Sequence, residues 1–386
     1  MGVSWWRHMC EARIIRWSAF LAIGAISLSL LASNTSAVAE SPRTAPPIGT
    51  LLADLRTPHA HVTSADISGS TAVVGVVQGP KRSIGRAYVF TKTTAGWTQV
   101  DELKGTLHGG LGFGESVAIS GTTIVVGGAG WLYVFTKTAA SWTQAAQLAE
   151  GPHNANNPFG AQVAISGTNV IVGARSQHGA AYVFSNTPSG WQQAAMLKPS
   201  GPNESDDEFG LSVAISGTTA LVGQGRGPAH VFAKTATGWK QTAVLEEGRD
   251  VEDLFAISGT TAVVLTDLVG ARSDCCREVF GGFTKRDAGW EQTGRLKGSI
   301  SGGISVAISG TTAIIGAPAT NTTLGRAYVF TKTGTIWKQV AELHDPNTPV
   351  GASFGTLVAM SGRTAVVGES YDGSAGADDE VYLFQA

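Results

Sequence analysis

A Ser-Gly pair recurs seven times in this chain at nearly even intervals, and no single motif constrains the fold as much. Its glycines are Gly69, Gly121, Gly167, Gly217, Gly259, Gly310 and Gly362, spaced by 52, 46, 50, 42, 51 and 52 residues. Periods of this size belong to arrays of one supersecondary unit, each too small to bury its apolar face alone. Other distances inside the unit also hold constant. Six residues after each turn glycine comes Gly75, Gly127, Gly173, Gly223, Leu265, Gly316 or Gly368. A second block, typified by "RAYVFTKTTAGW" at 86–97, follows, and its last Phe precedes a Trp by seven residues in the first six units. Six residues beyond each Trp lies a Leu, from Leu103 to Leu343.

These constants describe four strands per unit: A ("SVAIS"), B ("TAVVG"), C ("AYVF") and D ("WTQVDEL"). Ser-Gly suits the A–B hairpin because glycine takes positive φ without steric cost. Strands A and B are apolar on both faces, so both faces of each sheet must be covered. Four-stranded sheets stacked around an axis do that, which predicts an all-β, seven-bladed β-propeller over residues 49–386. The last unit stops at "VYLFQA", after strand C. The segment "GTLLADLRTP" at 49–58 resembles a strand-D tail, with Leu55 in the place of Leu103. Residues 49–56 are therefore expected to complete the seventh blade and close the ring, removing two open sheet edges.

Ahead of the repeats, Arg7, Arg13 and Arg16 precede an apolar run from Trp17 to Ala32, and small residues Ala37 and Ala39 follow. This reads as a signal peptide over 1–39 cleaved before Glu40, with 40–48 as a linker. A retained membrane anchor is the alternative. Removing 1–39 leaves 24 basic and 28 acidic residues, net −4. That balance suits an exported monomer not held in a membrane, and it excludes the strong basic excess of a nucleic-acid binder. Cys10 lies within the leader, so only the adjacent pair Cys275 and Cys276 remains, either a vicinal disulfide or two thiols. Stability must come from the core rather than from a disulfide framework.

Four units place Phe-Gly seven residues before the turn Ser, at Phe113-Gly114, Phe159-Gly160, Phe209-Gly210 and Phe354-Gly355. One unit reads Gly316-Ala317-Pro318 after strand B. The repeat resembles the FG-GAP family, the seven-bladed propellers of integrin α subunits and of many bacterial exported proteins. Phe-Gly is absent from units 1, 5 and 6. In integrin-type repeats, calcium loops with alternating Asp and Asn lie between these two motifs. Here that interval holds Ser-Gly-Thr-Thr or a near relative, without a carboxylate, whereas calcium needs six to eight oxygens. No cofactor is therefore expected: calcium is conceivable in such a fold, but the family's A–B calcium loops are absent. Kelch-type propellers share an aromatic–Trp spacing but carry a double glycine after the apolar strand, missing here.

Alternating strand direction puts the A–B and C–D turns on one face and the B–C and D–A connections on the other. The first set is constant in length. The second varies: from the strand-B landmark to the strand-C Phe is 8 residues in unit 2, 16 in unit 7 and 18 in unit 5. Loops that vary on a rigid scaffold carry specificity. The expected function is a secreted or cell-surface, non-catalytic binding or adhesion scaffold, with an extracellular protein or glycan on the B–C/D–A face. Its candidate ligand-binding residues are Asp206, Asp207 and Glu208, Trp131 in a short B–C loop, and Asp372, Asp378 and Asp379 in "DGSAGADDE". The acidic loops read either as contacts for a cation or basic partner or as solvated loops, the second being favoured. The recurrent Trp reads as an inter-blade packing slot. Lys92, Lys137, Lys234, Lys285 and Lys332 at the C–D turns read as guards against edge pairing. No nucleophile–base pattern or zinc spacing is present, so no catalytic residue is assigned. A polysaccharide hydrolase or lyase, with carboxylates converging from different blades, is the alternative.

Overall fold

Val, Ile and Thr crowd strands A and B, and such β-branched side chains favour the extended backbone. With few helix-forming runs and recurrent turn glycines, the described residues fold as strands and their connections alone. This computed structural model describes residues 45–57, 61–78, 84–105, 112–128, 130–150, 159–174, 179–200, 208–224, 227–245, 254–269, 277–296, 300, 304–319, 324–347, 352–371 and 379–386. Cys275, Cys276 and residues 1–44 lie outside them. The described residues of Pro46–Ala386 form seven four-stranded antiparallel sheets. Blades 1 to 6 span 61–103, 116–148, 162–197, 213–245, 255–296 and 305–343, each in the order A-B-C-D. Blade 7 takes three strands from 352–385, and Leu51–Leu55 supplies its strand D beside Glu380–Gln385. Leu55 pairs with Val381 as Leu103 pairs with Ala87, so the closing strand sits in the expected register.

Strand A is innermost and touches strand A of both neighbouring blades, blade 7 meeting blade 1. Each A–B turn glycine has φ between 58 and 60°. That positive φ turns its N–H toward the preceding blade. There the turn serine accepts it: Gly121 N–H donates to Ser68 Oγ at 3.0 Å, Gly167 to Ser120 at 3.0 Å, and Gly217 to Ser166 at 2.8 Å. Gly259, Gly310 and Gly362 continue the series onto Ser216, Ser258 and Ser309, and Gly69 closes it on Ser361 at 2.9 Å. The repeated Ser-Gly is thus a hairpin turn and also a closed ring of seven inter-blade hydrogen bonds.

The apolar core is divided into seven joints between neighbouring blades. Between blades 3 and 4, Ile171, Val183 and Leu197 face Val213, Val222 and Phe232, with Phe209 among them, all buried. Burying each such side chain is worth about 1.5–3 kcal/mol. The Phe-Gly motif is part of these joints. Phe113, Phe159, Phe209 and Phe354 are fully buried and meet the strand-C Phe of their own blade edge-on, with ring centroids 5.9–6.2 Å apart. The Gly that follows each aims its carbonyl at the strand-B glycine of the preceding blade. A Cβ on Gly75, Gly127, Gly173 or Gly316 would lie 2.0–2.2 Å from the carbonyl oxygen of Gly114, Gly160, Gly210 or Gly355. Leu265, the one strand-B landmark that is not glycine, is buried in the joint with blade 6, a unit without Phe-Gly.

One regularity lay hidden in the spacings. In blades 1 to 6 the C–D register slips by one residue at the strand-C Phe, as between Val89 and Phe90. The closing strand repeats the slip between Leu51 and Ala53, opposite Phe384 and Leu383. Trp and Leu six residues apart would share a face of a regular strand, but a bulge reverses one of them. Trp191 therefore packs into the joint behind its blade and Leu197 into the joint ahead. The same holds for Trp97 and Leu103. The expected packing slot for Trp is confirmed. Two of the C–D lysines, Lys137 and Lys332, lie 5.9 Å over the rings of Trp142 and Trp337.

Candidate functional site

With A–B turns tied together on one face, the B–C and D–A connections surround the axis on the other. There the axial channel opens into a cavity of about 690 Å³. Its polar lining includes Thr63, Glu115, Ser116, Gln162, Glu208 and Ser305. Ser116, Gln162 and Ser305 start strand A of their blades, Thr63 lies within that of blade 1, and Glu115 and Glu208 precede theirs. Deeper, a cavity of about 320 Å³ is walled by strand A of all seven blades, almost entirely with Val, Ile, Ala and Phe. The one charged residue in the lining is Asp66, at a register that Ala fills in the other six units. Its Oδ1 accepts Ile67 N–H and its Oδ2 accepts Ile119 N–H of blade 2, both at 2.8 Å. Enclosure in the apolar channel pushes the Asp66 carboxyl up to about 6, against the opposing pull of the two N–H donors.

A second group of acids gathers in blade 7, on the same face. Glu369 lies in strand B of blade 7, Thr364–Tyr371, one residue past Gly368, where other units carry Val76, Gly128, Ala174, Gln224, Thr266 or Ala317. It is 1% exposed. Glu380 and Tyr382 come from strand C, and Asp345 from the connection out of blade 6. The Tyr382 hydroxyl is hydrogen-bonded to Glu380 Oε2 and lies 3.2 Å from Asp345 Oδ1. Asn347 Nδ2 donates to Tyr382 Oη at 3.0 Å and to Glu380 Oε2 at 3.2 Å, and its N–H donates to Asp345 Oδ1 at 2.7 Å. Burial pushes the Glu369 carboxyl up to about 8; nearby Asp345, Glu380 and Asp379 add to the effect and Tyr382 opposes it. Burial and the hydrogen bond to Glu380 also raise the Tyr382 phenol.

Of the residues singled out by sequence, Glu208 lines the cavity mouth, exposed, with φ 45°. Asp379 is 3% exposed, and its Oδ2 accepts Val62 N–H at 2.8 Å, joining blade 7 to blade 1. His61 Nδ1 lies 3.7 Å from the same oxygen. Trp131 does not sit in a loop. It opens strand C of blade 2, paired with Gly128 and half-buried against the joint with blade 1, because the B–C connection is short enough to end before it. Asp206, Asp207, Asp372 and Asp378 lie outside the described residues. Sequence reasoning missed Glu115, Asp66, Glu369 and Asp345. For Asp66 the signal was available as a single acid at a register that the other six units fill with Ala. Among the described residues, no group of three or more His, Cys, Asp or Glu is already arranged as a metal cage, and no helix is long and apolar enough to cross a membrane.

The FG-GAP repeat family profile matches residues 142–184, 191–230, 303–330 and 337–384. No curated protein matches the chain in sequence. Solved structures similar to it include U3-55K, with TM-score 0.59 and 11% identity over 88% of this chain and 100% of that one. A chain of the mitotic checkpoint complex matches with TM-score 0.57 and 13% identity, over 95% and 99%. The Cps50 (Swd1) β-propeller domain of Myceliophteria thermophila matches with TM-score 0.56 and 13% identity, over 87% and 99%. At such identities the likeness is one of fold alone.

Proposed function

This chain is an FG-GAP repeat β-propeller, and on that premise we propose that it is an exported, non-catalytic binding or adhesion scaffold. Its ligand, an extracellular protein or glycan, engages the face of variable connections. The observation that supports this reading is the cavity mouth on that face, about 690 Å³ and edged by carboxylate, amide and hydroxyl groups. Such a mouth suits a hydrogen-bonding ligand held at the axis, as small-ligand sites combine concavity with a few placed polar groups. The opposite face is committed to the Ser-Gly ring and to turns of constant length. Glu115 and Glu208 are the contacts proposed for the ligand, with Asp206 and Asp207 as the sequence neighbours of Glu208.

The test uses the mature chain on a glycan array and against immobilised extracellular proteins, with the double variant Glu115→Ala/Glu208→Ala beside it. The expected result is capture of a ligand that the double variant binds at least about tenfold more weakly. The ligand should be recovered chemically unchanged. Full retention of binding by the double variant would move the ligand off the mouth. Turnover of a polysaccharide would replace the scaffold by an enzyme.

A further inference from the structure

Glu369 presents a problem that the packing around it does not solve. It is 1% exposed, and neither carboxylate oxygen has a hydrogen-bond partner at normal geometry. Asp345 Oδ2 is likewise buried without a partner. A buried unpaired carboxylate is among the costliest features a fold can carry, and each one calls for a proton, a water or an ion. A proton alone leaves the group unsatisfied. The resulting carboxylic acid would become a donor in need of an acceptor, and neither oxygen makes a hydrogen bond of normal geometry, Tyr382 being the nearest candidate. The charged groups acting on Glu369 are all acids, namely Asp345, Glu380 and Asp379. The described groups that act on it all bear oxygen, three carboxylates and the Tyr382 phenol. Oxygen-only donor sets of high negative charge suit hard divalent cations.

We propose that the blade 7 pocket formed by Glu369, Asp345, Glu380 and Tyr382 binds a calcium ion. The site lies on the B–C/D–A face, opposite the A–B turns that carry no carboxylate here. The acids are not already gathered as a cage, which fits mutual repulsion among the three carboxylates Glu369, Asp345 and Glu380. Binding draws the half-buried Asp345 inward toward Glu369. Asp379 holds Val62 N–H on blade 1, and strand C of the pocket pairs with Leu51–Leu55, so the ion would bind where the ring is closed. The inference does not depend on what the cavity mouth binds.

The experiment is calcium titration of the chelator-treated full chain by isothermal titration calorimetry, with thermal unfolding in parallel. Glu369→Gln, Asp345→Asn and, as a control outside the pocket, Glu115→Gln are measured beside it. One ion should bind with a Kd of about 10⁻⁴–10⁻³ M, the range of extracellular calcium modules. Calcium at about 10 mM should raise Tm by roughly 2–4 °C. Glu369→Gln should fold without calcium and bind at least about tenfold more weakly, Asp345→Asn should weaken binding in the same direction, and Glu115→Gln should bind as the parent does. No heat and no Tm shift for the parent chain would overturn the assignment. So would undiminished binding by both pocket variants. If Glu369→Gln fails to fold, Asp345→Asn alone decides between these outcomes.

Discussion

Gly173→Ala tests the joint between blades directly. The added methyl would sit 2.1 Å from the Gly210 carbonyl oxygen of blade 4 and 3.2 Å from its carbonyl carbon. Both are backbone atoms, so no rotamer change relieves the clash. A carbon–oxygen contact needs about 3.2 Å or more, so the two blades must part locally by roughly 1 Å. A radial gap of that size forfeits a quarter to a half of each dispersion contact across it. The joint contains ten buried apolar side chains, and overpacking of such a core costs about 1–3 kcal/mol. We expect about 3 kcal/mol from strain and lost contacts together. Gly167→Ala is the control: its φ of 58° penalises a side chain, but nothing lies within 4 Å, so only the backbone cost of about 1–2 kcal/mol applies. Guanidinium unfolding followed by far-UV circular dichroism measures both. The double variant Gly173→Ala/Phe209→Ala should cost less than the sum of its parts, because removing Phe209 lets Gly210 retreat. A Gly173→Ala cost no larger than that of Gly167→Ala would refute the reasoning.

Three further outcomes follow from the fold. Asp66 holds its proton more tightly folded than unfolded, so the stability it lends is full below about pH 4 and is lost as pH rises through about 6. Asp66→Asn should flatten Tm across that window, and an unchanged pH profile would show that Asp66 is not its source. Ser361→Ala removes the acceptor of Gly69 N–H at the blade 7–blade 1 joint. It should cost about 0.5–1.5 kcal/mol and speed exchange of the Gly69 amide; unaltered exchange would mean that the ring adds no protection there. Deleting residues 1–56 exposes the edge of Glu380–Gln385. It should cause concentration-dependent association visible in light scattering, and a monomeric, equally stable product would argue against ring closure by that strand.

Blade number, the closing strand and the Trp slot were legible because they rest on distances that recur within a unit. The bulge was not legible, since an extra residue present in every strand D leaves the Phe–Trp and Trp–Leu spacings constant. Trp97 and Leu103 then read as sharing one face, while the folded strand sends them to different joints. Phe209-Gly210 and Gly173 were each visible, but their contact joins adjacent units across more than thirty residues and follows only from the stacking. For the site, searching for runs of acid favoured loops. That search located Glu208 at the mouth and singled out Asp379, which the fold uses as a buried acceptor for Val62. It passed over Glu115, Asp66 and Glu369, isolated acids whose meaning comes from the register they occupy and not from their neighbours.

The bulge also gives the molecule an optical wiring. Because each strand-D Trp looks backward, Trp97, Trp142, Trp191, Trp239, Trp290 and Trp337 report in turn on the joints 7–1, 1–2, 2–3, 3–4, 4–5 and 5–6. At the joint between blades 6 and 7 the corresponding position on the closing strand is Gly49, beside Leu343. That joint is dark. Retaining one of the six indoles at a time, with the remaining tryptophans including Trp131 replaced, would let emission follow a chosen joint through unfolding, and an indole placed at a dark-joint position would complete the circuit.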